Sequence, residues 1–175
     1  TIGYNSIRSK IMNLPSSRSI NFLIFAGCTA LMGIALFMEH AMDLEPCPLC
    51  ILQRVMVIVT GLVTLIAALH HPGVRGIRVY AIGAILAAAL GAALAIRQLW
   101  LQSLPKDQVP ACGPGLDYLL EVLPLTEVLN MILTGDGSCA EIAWTLFGIS
   151  IPGWTLVGFI GLIAINVFQI VRPIR

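Results

Sequence analysis

Charged residues are scarce in this sequence. Only 11% of its 175 residues are Asp, Glu, Lys or Arg, whereas 58% are hydrophobic. A soluble domain of ordinary composition carries about 25% charged residues. The chain therefore has too little polar surface to cover a water-soluble globule, and its composition is typical of a membrane protein.

Charge is almost absent from four long stretches. Residues 20–38, 79–96 and 151–171 contain no charged side chain, and residues 50–69 contain only Arg54. A helix needs roughly 20 apolar residues to cross the hydrocarbon layer, and each stretch is close to that length. The stretches are continuously apolar and do not alternate with a period of two, so a closed barrel is excluded.

We therefore predict an all-α membrane protein, a bundle of four transmembrane helices formed by these four stretches. Residues 1–175 are expected to form a single domain, with loops at about 39–49 and 101–150. The first stretch exceeds the core of a usual signal peptide, so we expect it to remain as a membrane anchor. The second loop is long enough to be a functional segment.

Acidic residues are absent from one side of the predicted bundle. All nine lie in or beside the two loops: Glu39, Asp43, Glu45, Asp107, Asp117, Glu121, Glu127, Asp136 and Glu141. Seven of the ten basic residues lie on the opposite side: Arg8, Lys10, Arg18, Arg75, Arg78, Arg172 and Arg175. Lys and Arg accumulate in cytoplasmic segments, so we predict that both termini are cytoplasmic and both loops lie on the outer side.

Four of the five cysteines lie in or beside these outer loops, two in each: Cys47, Cys50, Cys112 and Cys139. The outer side of a bacterial inner membrane is oxidising, so disulfides persist there. Two cysteine pairs that face one compartment indicate dithiol chemistry. The fifth cysteine, Cys28, is predicted to be a small buried residue of the first helix.

Four cysteines have two other common uses in proteins, metal binding and structural disulfides. Four thiolates can bind zinc, but structural zinc sites use two closely spaced pairs, and Cys112 and Cys139 are far apart in sequence. We therefore expect no metal. Two purely structural disulfides are the other alternative. The ring closed by a Cys47–Cys50 disulfide is very small and would stabilise little, because loop-closure stabilisation grows with ring size.

The first cysteine pair is placed at the predicted start of the second helix. Pro48 suits the first turn, so Cys47 is a plausible N-cap and Cys50 belongs to the first turn. Backbone N–H groups and the helix dipole favour thiolate at this position. Arg54 lies one turn deeper on the same face, where it either stabilises a thiolate or a ligand oxygen, or reaches outward to the headgroups.

Motifs for common electron acceptors are missing. No G-x-G-x-x-G nucleotide fingerprint follows a strand, and no His directly follows the Cys-x-x-Cys pair as in c-type haem attachment. Because Cys50 opens toward the bilayer, the most accessible acceptor is a lipid-soluble quinone. This inference rests on location alone.

A helical segment is expected within the second loop. Residues 116–133 are rich in Leu, Val and Ile, and Pro124 splits them into two short helical pieces. The second piece is predicted either to lie on the membrane surface or to pack on the bundle.

Together these features resemble the disulfide bond formation protein B family (DsbB), bacterial inner-membrane thiol:quinone oxidoreductases. The resemblance covers nearly the whole chain. Besides the four helices, it is carried by PCPLC at 46–50 with Arg54, PACGP at 110–114, CAE at 139–141 and IPGW at 151–154.

The resemblance implies a route for electrons. A reduced thioredoxin-fold oxidase of the DsbA type, in the periplasm, would attack a Cys112–Cys139 disulfide and form a mixed disulfide with Cys112. Electrons would pass to the Cys47–Cys50 pair by exchange between Cys139 and Cys47. Cys50 would face a membrane quinone, ubiquinone or menaquinone, and Arg54 would support that contact. No nucleic-acid partner is expected.

One position departs from the family pattern. Many members carry a histidine near the outer end of the third helix, where this chain has Arg97 and Gln98. Arg97 is therefore a candidate for the quinone pocket or, alternatively, an anchor of the helix at the headgroups. A thiol oxidoreductase similar to vitamin K epoxide reductase is an alternative enzyme, although the local motifs fit it less well. A scaffold with disulfide-linked loops is the non-enzymatic alternative.

Overall fold

Helices account for most of the chain in the computed structural model, which describes residues 15–44, 46–105, 107–109, 118, 121–135 and 137–171. The elements are, in chain order, α1 (Ser17–Ala41), α2 (Pro48–His70), α3 (Val74–Gln102), α4 (Leu125–Thr134), α5 (Gly137–Ala140), β1 (Thr145–Leu146), β2 (Ile149–Ser150) and α6 (Ile151–Val171). Within the described ranges, four of these helices are long and apolar enough to cross a membrane: α1, α2, α3 and α6. The predicted four-helix membrane architecture is therefore confirmed.

Three of these helices extend beyond the apolar stretches that predicted them. Arg18 and Glu39 belong to α1, and Arg75, Arg97 and Gln102 belong to α3. A charge-free stretch marks the part of a helix that suits hydrocarbon, whereas the helical backbone continues into the headgroup region, where polar side chains reach water. Only α6 has the bounds of its apolar stretch.

The third helix, α3, is the most buried of the four spanning helices. It packs against α2 and α6, and α1 packs against α2. Its buried face is a stripe of small residues: Ala81, Ala84, Ala88, Gly91, Ala92 and Ala95. Small residues allow helices to approach closely in a membrane, where packing and hydrogen bonds drive association. The Phe159 ring of α6 fills the space above Gly91, where a Cβ would overlap it.

The main core draws residues from all four long helices: Ile20, Ile24, Cys28, Val57, Ala88, Ala92, Phe159 and Leu162. Cys28 is buried there, as predicted for a small helix residue. Its Cβ lies 3.1 Å from the position that a Cβ on Gly61 would take, so α1 and α2 are also in close contact.

Buried polar side chains are satisfied mostly within the bundle. The Thr60 and Thr64 hydroxyls donate to carbonyls of the preceding turn of α2, at 2.8 and 3.1 Å. Gln169 Nε2 donates to Asn21 Oδ1 at 2.9 Å, which links the last spanning helix to the first. A hydrogen bond between helices is favourable in hydrocarbon because water is not available to replace it.

The cysteine end of the bundle, where α1 and α3 end and α2 and α6 begin, is covered by a second apolar cluster. Val128 and Ile132 of α4 pack there against Leu49 and Leu101. Pro124 precedes α4 as its N-cap, so the predicted break at this proline is confirmed. Leu125, Leu129 and Leu133 of α4 are exposed, so the helix packs on the bundle through Val128 and Ile132 and leaves other apolar side chains outside.

A short hairpin directly precedes α6 and was not predicted. Strands β1 and β2 are antiparallel, with Thr145 opposite Ser150. The turn between them is formed by Phe147 and Gly148, both with positive φ, at 52° and 77°. Trp154 Nε1 donates to the Leu146 carbonyl at 3.2 Å and so ties the hairpin to the first turn of α6.

Candidate active site

The start of α2 brings two cysteine sulfurs together. Cys47 is the N-cap, Pro48 occupies the first helical turn, and the Cys47 sulfur accepts a hydrogen bond from the Cys50 backbone N–H at 3.4 Å. The two sulfurs lie 2.7 Å apart. The predicted local geometry of the Cys-x-x-Cys segment is therefore confirmed, and the spacing suits dithiol chemistry.

A third sulfur reaches this pair from a distant part of the chain. The short helix α5 carries Cys139, which is fully buried in the second apolar cluster beside Cys47. The hydrogen bond with Cys139, a second one with Cys50, and burial raise the pKa of the Cys47 thiol. The predicted preference for thiolate therefore does not hold for Cys47 here, because two neighbouring sulfurs and burial oppose a charge on it.

The remaining predicted redox residue, Cys112, lies outside the described residues, as does the PACGP segment around it. Its role stays a prediction. Within the part of the chain that the structure describes, no group of three or more His, Cys, Asp or Glu side chains is arranged to hold a metal ion.

One glutamine, Gln98, contacts the sulfur pair and a second, Gln53, contacts Gln98; sequence reasoning assigned no role to either. Gln98 Nε2 lies 3.2 Å from both the Cys47 and the Cys50 sulfur. The Cys50 sulfur is also 3.6 Å from Gln98 Oε1, which accepts a hydrogen bond of 2.7 Å from Gln53 Nε2. Both glutamines are buried, with 3% of their surface exposed.

A sequence signal for Gln98 existed in the stripe of small residues on α3. Ala84, Ala88, Gly91 and Ala95 recur at intervals of three and four residues, which places them on one face of a helix. Gln98 is the next member of this series. A glutamine that continues the helix-packing face of a spanning helix is expected to be buried and hydrogen-bonded.

The Arg54 side chain turns toward α1. Its guanidinium forms an ion pair with Glu39 and donates to the Ala35 carbonyl at 3.3 Å. Glu39 thus supplies the partly buried cation with a partner, as charges near hydrocarbon require. The predicted contact between Arg54 and a ligand stays a prediction, since the carboxylate takes one of its donors.

An apolar cavity of about 390 Å³ opens onto the sulfur pair. Pockets for small ligands have volumes of about 300–1,000 Å³ and are mostly apolar with a few polar groups. Cys50, Arg54 and Gln98 supply polar groups, and Trp154 is part of the wall. Its remaining walls are mainly apolar side chains of α1, α2 and α6, among them Leu31, Met32, Met38, Val57, Phe159 and Leu162.

Arg97 lies elsewhere. Its guanidinium donates to the Leu133 and Thr134 carbonyls at the end of α4, at 3.4 and 3.0 Å, and lies 4.3 Å from the centre of the Trp100 ring. It is not one of the residues that line the described cavity. Its cofactor role therefore stays a prediction, whereas its observed contacts are those of a cap on the C-terminal end of α4.

Comparison with known proteins gives a consistent result over almost the whole chain. The sequence model of a family described as "Disulfide bond formation protein DsbB" matches residues 17–169. "Disulfide bond formation protein B" of Hahella chejuensis is 57% identical over 160 residues, which are 91% of this chain and 97% of that protein. The protein of the same name from Saccharophagus degradans is 50% identical, covering 93% of this chain and 98% of the relative. The one from Stutzerimonas stutzeri is 52% identical, covering 92% and 99%.

Proposed function

Because the chain belongs to the DsbB family of disulfide bond formation proteins, we propose that it is a thiol:quinone oxidoreductase. Its substrate would be a reduced thioredoxin-fold oxidase of the DsbA type, which it would return to the disulfide form. The observation that carries the proposal is the cluster of three sulfurs, Cys47, Cys50 and Cys139, at the edge of an apolar cavity.

The contact between Cys139 and Cys47 supports an exchange of disulfides between the two loops. The partner's dithiol reduces a Cys112–Cys139 disulfide and becomes oxidised itself. The released Cys139 thiolate then attacks Cys47 and forms a Cys47–Cys139 bond, while the Cys47–Cys50 bond breaks and its electron pair remains on the Cys50 sulfur. Attack of the Cys112 thiolate on Cys139 would then restore the Cys112–Cys139 disulfide and release Cys47 as a thiolate, so the first pair carries both electrons. Cys139 is held beside Cys47 by the second apolar cluster, so attack requires little movement.

The residues around the cavity fit a quinone as the electron acceptor. The cavity is mainly apolar, and Cys50 is among the residues that line it. Arg54 supplies a cation for an oxygen that becomes negative. Bound there, ubiquinone or menaquinone would supply an acceptor for two electrons and two protons. The net reaction converts the partner's dithiol and a quinone into a disulfide and a quinol.

The distribution of charge supports a location for this chemistry. Acidic residues lie in or beside the two loops at the cysteine end, and most basic residues lie at the opposite end of the helices. By the preference of Lys and Arg for the cytoplasm, the cysteine end faces the periplasm of a bacterial inner membrane. Disulfides formed there persist because the compartment is oxidising.

The proposal is tested by following quinone absorbance in a reaction that contains the purified protein in detergent, a reduced DsbA-type oxidase and a soluble ubiquinone analogue. We expect quinone to be consumed in step with oxidation of the partner. Cys50→Ser and Cys112→Ser should each abolish turnover because each removes a sulfur from the relay. Cys28→Ala is the matched control, since Cys28 is buried in the main core, and it should retain turnover.

A folded wild-type protein that leaves the quinone untouched would refute this proposal. The cysteines would then be better interpreted as structural disulfides of a membrane scaffold. In that case Cys50→Ser would lower thermal stability without any quinone reaction to lose. The two outcomes are distinguished by measuring the thermal unfolding of each variant beside its turnover.

A further inference from the structure

The side-chain amide of Gln98 contacts both sulfurs of the first cysteine pair. We infer that Gln98 is a catalytic residue that stabilises the negative charge released on the Cys50 sulfur when the Cys47–Cys50 bond breaks. This inference rests on the proposed function, because it assigns a role within the exchange between Cys139 and Cys47. The distance of 3.2 Å from Nε2 to each sulfur lies within hydrogen-bonding range.

Gln53 fixes the direction in which this amide points. Its Nε2 donates to Gln98 Oε1 at 2.7 Å, so the oxygen end of the Gln98 amide is occupied by a donor. The NH₂ end is thereby directed at the sulfurs. Gln53 lies one turn after Cys50 on α2 and is itself buried. The glutamine pair therefore joins α2 and α3 and is oriented before any charge develops, which is how fixed dipoles contribute most to a reaction.

A thiolate at this site needs a donor that is available. The site is largely apolar, and a buried charge without hydrogen bonds is strongly disfavoured. The Arg54 guanidinium is paired with Glu39 and bonded to the Ala35 carbonyl. Gln98, in contrast, donates directly to the Cys50 sulfur. The Gln98 amide is therefore a side-chain donor in direct contact with the leaving sulfur.

The bond changes balance with no additional reactant. The Cys139 thiolate forms a bond to the Cys47 sulfur, and the Cys47–Cys50 bond breaks. The bonding pair moves to Cys50, so one thiolate is consumed and one is released. Gln98 loses no proton in this step. It lowers the energy of the released thiolate by hydrogen bonding, and a better-stabilised leaving group departs faster.

The test measures the Cys50 thiolate without any quinone or partner protein. The fully reduced chain in detergent is alkylated with iodoacetamide over a range of pH, and the rate at Cys50 is read by mass spectrometry. For Gln98→Leu we expect the midpoint of the rate curve to move up by about one pH unit, so that alkylation at neutral pH is roughly tenfold slower. The rate at strongly alkaline pH should be unchanged.

Two further variants make the result interpretable. Gln53→Leu removes the orienting bond but no donor to sulfur, so a smaller shift in the same direction is expected. Gln169→Leu removes a buried glutamine at the opposite end of the bundle and should leave the curve unchanged. If Gln98→Leu does not fold, as judged by its elution and thermal unfolding, the inference is judged on Gln53→Leu. A shifted Gln53→Leu curve then supports it, and an unshifted curve overturns it.

Superimposed curves for the wild type and both folded variants, Gln98→Leu and Gln53→Leu, would overturn the inference. Its failure is separable from failure of the proposed function. Normal quinone turnover with unshifted curves removes the role of Gln98 only. If the curves shift but no quinone is consumed, the contact between Gln98 and the thiolate is supported and the proposed thiol:quinone activity is refuted.

Discussion

The Arg54 guanidinium carries its charge within a helix that is apolar enough to cross a membrane, and its partners determine where that charge acts. Glu39 and the Ala35 carbonyl hold it toward α1, at the wall of the cavity. Exposed ion pairs contribute little to stability, about 0–1 kcal/mol. We therefore expect this pair to act mainly in positioning, because it restrains a long side chain at the wall of the cavity that is proposed to bind quinone.

We expect Glu39→Gln to weaken the use of quinone more than it affects the fold. Without the carboxylate, Arg54 is less restrained, and KM for the quinone analogue should rise roughly 3- to 10-fold, about 1 kcal/mol of lost binding, with little change in kcat. Steady-state kinetics at saturating partner concentration measure this effect. Glu127→Gln, on the exposed side of α4, should behave like the wild type. A fall in kcat with unchanged KM would contradict a positioning role.

Predictions about single residues were confirmed where the local sequence determines the conformation. The N-cap position of Cys47 follows from Pro48, since proline suits the first turn of a helix and the preceding residue then caps it. The bond between Arg54 and Glu39 was not predicted, because it joins two helices whose relative rotation a continuously apolar sequence does not specify. Gln98 was missed for the same reason, although the small-residue series before it held the information.

At the scale of elements, the last turns of α3 organise the cysteine end. Arg97 caps α4, and Leu101 packs against Gly135 at the turn after α4, where φ is +80° and a Cβ would overlap the leucine. Gln102 accepts a hydrogen bond from Ser150 at 2.8 Å. The segment that carries Cys139 is therefore attached to one helix end, the same one that presents Gln98 to the sulfurs.

Arg97→Gln should loosen this attachment and slow the approach of Cys139 to Cys47. The measurement uses a chain in which Cys47 and Cys139 are the only cysteines and follows their oxidation to a disulfide by a mild oxidant. Because the two bonds from Arg97 are exposed, we expect roughly threefold slower formation, less than a buried charged hydrogen bond would give. Arg78→Gln, at the other end of α3, is the control. An unchanged rate for Arg97→Gln would show that α4 is held without this cap.

Prediction of the smaller elements depended on the strength of their local signals. Pro124 and the leucines after it predicted α4 because they combine a helix start with an apolar face. The hairpin escaped prediction because each strand has two residues and its turn places Phe147 at positive φ. A bulky residue rarely adopts that conformation, so the sequence of this turn does not resemble that of a usual hairpin turn.

At the scale of the whole molecule, the contact between Gly91 and Phe159 sets how closely α3 and α6 approach. Gly91→Ala should destabilise the protein by about 1–3 kcal/mol, as overpacking does, because the new Cβ overlaps the Phe159 ring. Gly161→Ala is the matched control on α6, where a Cβ would meet nothing within 4 Å. It should be neutral or stabilising, since alanine favours a helix by about 0.5–1 kcal/mol over glycine.

Thermal unfolding in detergent, followed by the fraction that remains monodisperse, compares the two variants. A Gly91→Ala protein as stable as Gly161→Ala would show that α3 and α6 tolerate wider separation. Such a result would remove the small-residue stripe as a determinant of the bundle.

The number and order of spanning helices were predictable, whereas their arrangement was not. Length and lack of charge identify a membrane helix regardless of its neighbours. The greater burial of α3 depends instead on which helix offers the smallest side chains, and its alanines and glycines show this only as a pattern within an apolar stretch. In water a polar face would have oriented each helix. In lipid both faces of a helix are apolar, so the sequence gives little indication of which face packs against the other helices.

The hydrogen bond between Asn21 and Gln169 has a consequence for how the protein is made. Its two residues are 148 positions apart, at opposite ends of the described chain. Asn21 therefore leaves the ribosome before Gln169 has been synthesised, so this bond cannot form while the first helix enters the membrane. The bond forms only after the last helix has been synthesised and inserted. Completion of the bundle is thus a late event in biogenesis, because the last spanning helix must be inserted before it can bind the first.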